Sequence, residues 1–100
     1  MLHRDIAHLL TTEIKKTNGV QNKVITSKQM VFVNKKSVGT QEFYLASQTG
    51  FTLELMLEMH TLDYNAQEYV EFNSKTYRII RTYEKGDTIE LKCQAHSGKL

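Results

Sequence analysis

Phe51-Thr52-Leu53-Glu54-Leu55-Met56-Leu57-Glu58-Met59-His60 is the stretch from which the fold follows. Phe51, Leu53, Leu55, Leu57 and Met59 hold alternate positions; Thr52, Glu54, Glu58 and His60 hold the others, with Met56 the exception. A period of two places one set on a buried sheet face and the other in solvent, so the stretch predicts a half-buried strand. A helix would scatter the same apolar side chains around its axis. It stays the alternative because Leu, Met and Glu are good helix formers.

Downstream, the chain predicts a meander. Glu68 to Phe72 is short and aromatic-rich, Asn73-Ser74-Lys75 has turn chemistry, and Thr76 to Glu84 carries Tyr77, Ile79, Ile80 and Tyr83. Lys85-Gly86-Asp87 is a second turn, after which Ile89, Leu91, Cys93 and Ala95 alternate with Thr88, Glu90, Lys92 and Gln94. Strands joined by such short turns must be antiparallel. Leu55, Leu57, Val70, Ile79 and Leu91 are the expected core.

Upstream, Met30-Val31-Phe32-Val33 within Gln29 to Asn34 is an apolar run suited to a buried strand. Asn18 to Ser27 is polar, contains Gly19 and predicts a loop. In Asp5 to Lys16, Ile6, Leu10 and Ile14 fit both periods. Asp5 could cap a helix, but β-branched Thr11, Thr12 and Ile14 favour a strand. One short helix is predicted at about 40–49, with Thr40 as N-cap, Glu42 in the first turn, Phe43 sharing a face with Ala46 or Ser47, and Gly50 as the stop. The expected fold is therefore mainly β: a small antiparallel β-barrel or sandwich of about six strands with one short helix, in a single domain over 1–100.

Composition narrows the function classes. The chain has 100 residues, 40% of them apolar, no proline and a net charge of +2. That charge is too small for the dense basic face of most nucleic-acid binders. The lone Cys93 cannot close an intramolecular disulfide, which favours a reducing compartment. The first residues lack the apolar stretch of a signal peptide, and no apolar run approaches the roughly 20 residues that cross a bilayer. Synthesis and assembly in the cytoplasm, without a membrane partner, are expected.

No residue set points to catalysis. His3 and His8 are five apart, which focuses poorly on one ion, and His60 and His96 lie on different strands, so no metal is expected. Cys93 alternates inward as a small apolar side chain, with no base placed beside it. Glu54 and Glu58 fall on the expected solvent face, where charges keep a strand soluble. Phosphate-cradling and nucleophile-elbow glycine motifs are missing from the sequence. No catalytic residue and no cofactor is assigned. Lys15-Lys16, Lys35-Lys36 and Arg78/Arg81, with tyrosines near the last pair, allow single-strand binding by stacking as a rival reading.

Two stretches go beyond general pattern. One is Lys36-Ser37-Val38, Glu42-Phe43-Tyr44, then Ala46 and Gly50; the other is Tyr64, Glu68, Val70, Tyr77-Arg78-Ile79-Ile80-Arg81-Thr82-Tyr83 and Ile89-Glu90-Leu91. In this order and spacing they resemble the phage head-tail joining family, the small head-completion or stopper proteins of tailed phages and prophages of Gram-positive bacteria. The resemblance spans most of residues 24 to 93. It departs at Thr52-Leu53, where the family often has a proline leading into the next strand.

The resemblance implies a virion structural protein, not an enzyme, in the head-tail connector assembled in the host cytoplasm. Copies would form a homo-oligomeric ring below the portal and adaptor proteins, close the channel after packaging, and offer a surface to tail proteins. Packaged double-stranded DNA would pass without sequence recognition. It also implies a channel-gating segment at Lys36, Ser37, Val38, Glu42, Phe43, Tyr44 and Gly50. Tyr64, Arg78, Arg81 and Tyr83 are the expected inter-subunit or partner contacts. A monomer is expected in dilute solution, because lateral contacts of so small a domain are weak. A tail terminator or other neck component is the rival within this class, and a small β-barrel nucleic-acid-binding module the rival outside it.

Overall fold

The computed structural model describes residues 5–39 and 53–96, and Gln48 between them. Six strands follow one another: β1 (Asp5–Thr17), β2 (Val20–Lys36), β3 (Leu55–His60), β4 (Tyr69–Phe72), β5 (Lys75–Lys85) and β6 (Thr88–Ala95), with a 3-10 turn at Thr61–Asp63. All neighbours are antiparallel and the ring closes in the order β1-β2-β3-β6-β5-β4. The mainly β expectation holds. The helix expected at about 40–49 lies outside the described residues apart from Gln48, which is helical.

Alternation builds the core. Leu55, Leu57 and Met59 of β3 face Cys93, Leu91 and Ile89 of β6, and all six are buried. Ala7, Leu9, Val31, Val33, Val70 and Phe72 complete the cluster, with Ile79 half-buried against it. Burying one such aliphatic side chain contributes about 1.5–3 kcal/mol.

Two-residue turns set the register. Asn73 and Ser74 both have positive φ, 51° and 65°, as a type I′ hairpin requires. Gly86, at φ 67°, supplies the left-handed position of the β5–β6 turn.

Closure is uneven. β2 meets β3 only from Asn34 to Lys36, and β1 meets β4 only from His8 to Leu10. Beyond those points β1 and β2 continue with each other alone, out to Thr17 and Val20. The result is a barrel with a two-stranded arm (Thr11–Thr17 and Val20–Ser27), about 24 Å long at 3.4 Å per residue. The whole chain measures 46 × 31 × 23 Å.

The arm corrects the loop expected at Asn18 to Ser27. Only Asn18 and Gly19 turn, with φ of 53° and 80°, and Val20 to Ser27 is strand. Asn-Gly is a strong hairpin signal because both central residues of a type I′ turn need positive φ. Polarity here marks two solvated faces, not a loop. Asp5 to Lys16 is strand, as its β-branched residues favour.

Candidate assembly surface

Two features of the described surface depart from a self-sufficient barrel: the arm, and the outer face of β1 and β2 below it. The register pairs Ile6 with Phe32 and His8 with Met30. These are neighbours on the outer face, and Ile6, Met30 and Phe32 are each about half exposed. This corrects the buried run expected at Met30 to Val33. Val31 and Val33 are buried, whereas Met30 and Phe32 point outward. An unbroken apolar run cannot distinguish a strand covered on both faces from one whose outer face awaits a partner.

The outward face continues along the arm. A bulge near Thr11/Thr12 shifts the register, so that Thr12 faces Ile25 and Ile14 faces Lys23. The hydroxyl of Thr26 donates to the Thr11 carbonyl across the bulge, at 3.2 Å. Ile14 is 63% exposed, and Val20 and Ile25 are also exposed. Among the described residues no strand pairs with the second edge of β2 from Val20 to Val33.

The arm's lysines fall into two groups. Lys23 donates to Glu68 Oε2 at 3.3 Å and to the Tyr69 hydroxyl at 3.2 Å, and lies 5.2 Å from the centre of the Tyr69 ring. The Tyr69 bond, then that to Glu68, holds the Lys23 ammonium above its usual pKa. Lys28 reaches Glu71 Oε2 at 3.5 Å. These contacts tie the middle of the arm, at Lys23 opposite Ile14, and the rung below it, at Lys28 opposite Leu10, to the chain's own barrel. Lys15 and Lys16, nearer the tip, are exposed and make no ion pair among the described residues.

The candidate residues divide between surface and scaffold. Arg78, Arg81 and Tyr83 are exposed on β5, with Arg81 and Tyr83 sharing its outer face beyond a bulge near Ile79/Arg81. Tyr64 instead packs against the core, and its hydroxyl donates to the Gln67 carbonyl at 2.8 Å. Burial raises its pKa. Glu42, Phe43, Tyr44 and Gly50 lie outside the described residues. Ser37 is exposed and Val38 half-buried just past β2.

Lys36, expected in the gating segment, is fixed to the barrel wall. Its ammonium donates to Glu90 Oε2 at 2.9 Å and Glu58 Oε2 at 3.4 Å, so the last residue of β2 bridges to β3 and β6. The Glu90 hydrogen bond is the main reason its pKa is raised. Glu58 is 6% exposed, which corrects its placement with Glu54 among solvated charges; Glu54 is exposed, but Glu58 lies under the lysine. Nothing local to the 51–60 stretch signals this, because the partner is 22 residues away. Met56, the exception to the alternation, is buried too.

Chemically reactive groupings are sparse. No group of three His, Cys, Asp or Glu side chains among the described residues could hold a metal. Burial pushes the Cys93 thiol up to about 12, which leaves it protonated and inert near neutrality. No described helix is long and apolar enough to cross a membrane. Comparison with family models and with curated proteins finds no match.

Proposed function

We propose that this chain is a virion structural protein of a phage head-tail connector, working as one subunit of a ring below the portal and adaptor. The carrying observation is the arm: two strands leave the barrel and expose Ile14, Val20 and Ile25, while Ile6, Met30 and Phe32 are exposed on the outer face of the same two strands below it. An isolated two-stranded ribbon is marginally stable in water, and exposed edges invite pairing. Such a device suits a subunit whose task is to meet other subunits. The resemblance through Lys36-Ser37-Val38 and Tyr77 to Tyr83 supports the connector as the setting.

Within this reading, residues 36 to 50 form the gate. Lys36 anchors its start to Glu58 and Glu90. Shortening the segment between Val38 and Gly50 tests both ideas when the variant is supplied to assembling heads. The unaltered chain is expected on filled heads, which retain DNA; the shortened chain is expected to bind heads that then lose it. Heads that neither recruit the unaltered chain nor need it to retain DNA would refute the connector reading. Filled heads that stay filled with the shortened chain would refute the gate alone.

A small β-barrel nucleic-acid module is the second reading, favoured by Lys15, Lys16, Lys23 and Lys28 on one ribbon. Glu68 and Glu71 already engage two of these four. A salt titration with single- and double-stranded DNA separates the readings. Weak binding of shallow salt dependence fits the connector; a slope equivalent to several phosphate contacts would favour the nucleic-acid module.

A further inference from the structure

We propose that the arm of one copy docks on the acidic rim of a second copy of the same chain, making a head-to-tail contact. This rests on the ring reading for its biological setting but makes a claim about the isolated protein.

The rim lies where β3 ends and β5 turns into β6. Thr61 donates its N–H to the Asp87 carbonyl at 2.9 Å, which brings the Thr61–Asp63 turn against the Gly86-Asp87 turn. Leu62, at its crest, is 94% exposed. Asp63 follows it in the chain, and Glu84 and Asp87 lie on the hairpin end that the Thr61 bond brings alongside; all three are exposed and without an ion pair among the described residues, and Lys85 is the one lysine of that hairpin end. A leucine this bare, on a rim whose two turns carry acids, is not covered by its own barrel. The arm tip has the converse composition: Lys15 and Lys16 beside exposed Ile14 and Val20.

Three observations favour a second copy as the occupant. The charges are complementary on balance: Lys15 and Lys16 outnumber Glu13 at the arm tip, and Asp63, Glu84 and Asp87 outnumber Lys85 at the rim. The same chemistry already operates within one chain, where Lys23 on the arm holds Glu68 on the loop beside the rim. Reach is the third. β1 runs towards the arm tip, β3 runs parallel to it and ends at the rim, so both features occupy one end of the barrel. An arm about 24 Å long is comparable to the two shorter dimensions of the molecule, 31 and 23 Å. An arm leaning sideways therefore reaches the rim of a copy standing alongside with its axis parallel. The two surfaces differ, so the contact is heterologous and leaves an arm and a rim free to extend the chain or close a ring.

The test mixes isotopically light and heavy protein at concentrations up to about 1 mM, a range chosen for weak contacts. A zero-length carbodiimide then joins amines to touching carboxylates. Mixed-isotope peptides are expected that link Lys15 or Lys16 to Asp63, Glu84 or Asp87, with sedimentation showing reversible self-association. Lys15→Glu with Lys16→Glu should weaken association about tenfold, the effect of reversing two exposed pairs. Asp63→Lys with Asp87→Lys should do the same, and mixing the two variants should restore association between them. Circular dichroism and unfolding midpoints check that each variant is folded.

A monomer throughout the range, mixed peptides joining other surfaces, or failure of the charge-swapped pair to recover would each overturn the proposal. Recruitment to heads is read separately: a chain that joins heads but forms no arm–rim crosslink leaves the connector reading standing and removes this contact. A chain that shows the crosslink but never joins heads does the reverse.

Discussion

The same two strands behave as two materials. In its lower half, β1 sets Ala7 and Leu9 against Val31 and Val33 of β2 under the barrel wall, and all four are buried. In its upper half, the strands are still paired residue by residue, but Glu13, Ile14, Lys15 and Lys16 are exposed, as are Gln21, Asn22 and Lys23 opposite. Backbone hydrogen bonding is therefore common to both halves and does not distinguish them. The difference is the third layer: the barrel has an opposite wall, and the arm has no such wall, only the Lys23 contacts with Glu68 and Tyr69. A net backbone hydrogen bond contributes about 0.5–1.5 kcal/mol, whereas fixing a residue costs about 1–2 kcal/mol, so ladder bonds without burial leave a hinged element.

Core truncation against arm truncation is the strongest way to break this contrast. Leu57 is fully buried, and Leu57→Ala is expected to cost about 2–5 kcal/mol in denaturant unfolding. A loss below about 1 kcal/mol would show that the barrel wall is not the source of stability. Alkaline pH also strikes the barrel. Lys36, Tyr64 and Cys93 all have raised folded-state pKa values, from Glu90, from burial and from burial respectively. A raised value means that the folded state holds its proton longer. The stability is complete below the unfolded pKa and drains away as pH rises towards the folded one. For Cys93 that window runs from 9.0 to about 12, with a slope of up to about 1.4 kcal/mol per pH unit. Thiol labelling should follow global unfolding across it. Labelling of the native chain at the rate of a free thiol would contradict the buried position.

Smaller effects sharpen the comparison. Gly86 and Gly19 both have positive φ and open space where a Cβ would go. Alanine at either meets only backbone strain, about 1–2 kcal/mol. Gly86→Ala should lower the global midpoint accordingly. Gly19→Ala should leave the midpoint nearly unchanged and instead remove hydrogen-exchange protection from Thr12–Thr17 and Val20–Ile25. An equal fall in the midpoint would mean that arm and barrel unfold as one unit. Smallest of all, Ile14→Thr should alter stability by less than about 0.5 kcal/mol while improving solubility; a larger loss would show that the arm is packed after all.

What the sequence disclosed follows the same division. Leu55, Leu57, Val70 and Leu91 could be identified as core because each alternates within a strand bounded by short turns. Val20 to Ser27 was hidden because a ribbon wet on both faces has no hydrophobic period; Asn18-Gly19 was the local signal that could have revealed it. Glu58 misled for the opposite reason. Its polarity says solvent, and the Lys36 ammonium that helps to make its burial tolerable lies 22 residues away in the chain. Likewise Met30 and Phe32 look like core until the outer face of β2 is seen to lack a covering layer among the described residues. Local pattern reports what a residue needs, but not whether the fold supplies it.

The Lys36 bridge has a mechanical consequence. The β2–β3 seam has the shortest span of ladder beside β1–β4, from Asn34 to Lys36, and the lysine sits at its lower end with a bond to each of two further strands. A load drawn sideways on the arm, across the strands, would peel β2 from β3 one rung at a time, from Asn34 downward, the geometry of a zipper; a load along the strand axis would shear all the rungs together. Lys36 is the rivet at which such a tear stops. The residues that follow it, Ser37 onward, would feel tension only after the rivet fails, so the arm and the segment beyond β2 are joined by a link that transmits nothing below a threshold force.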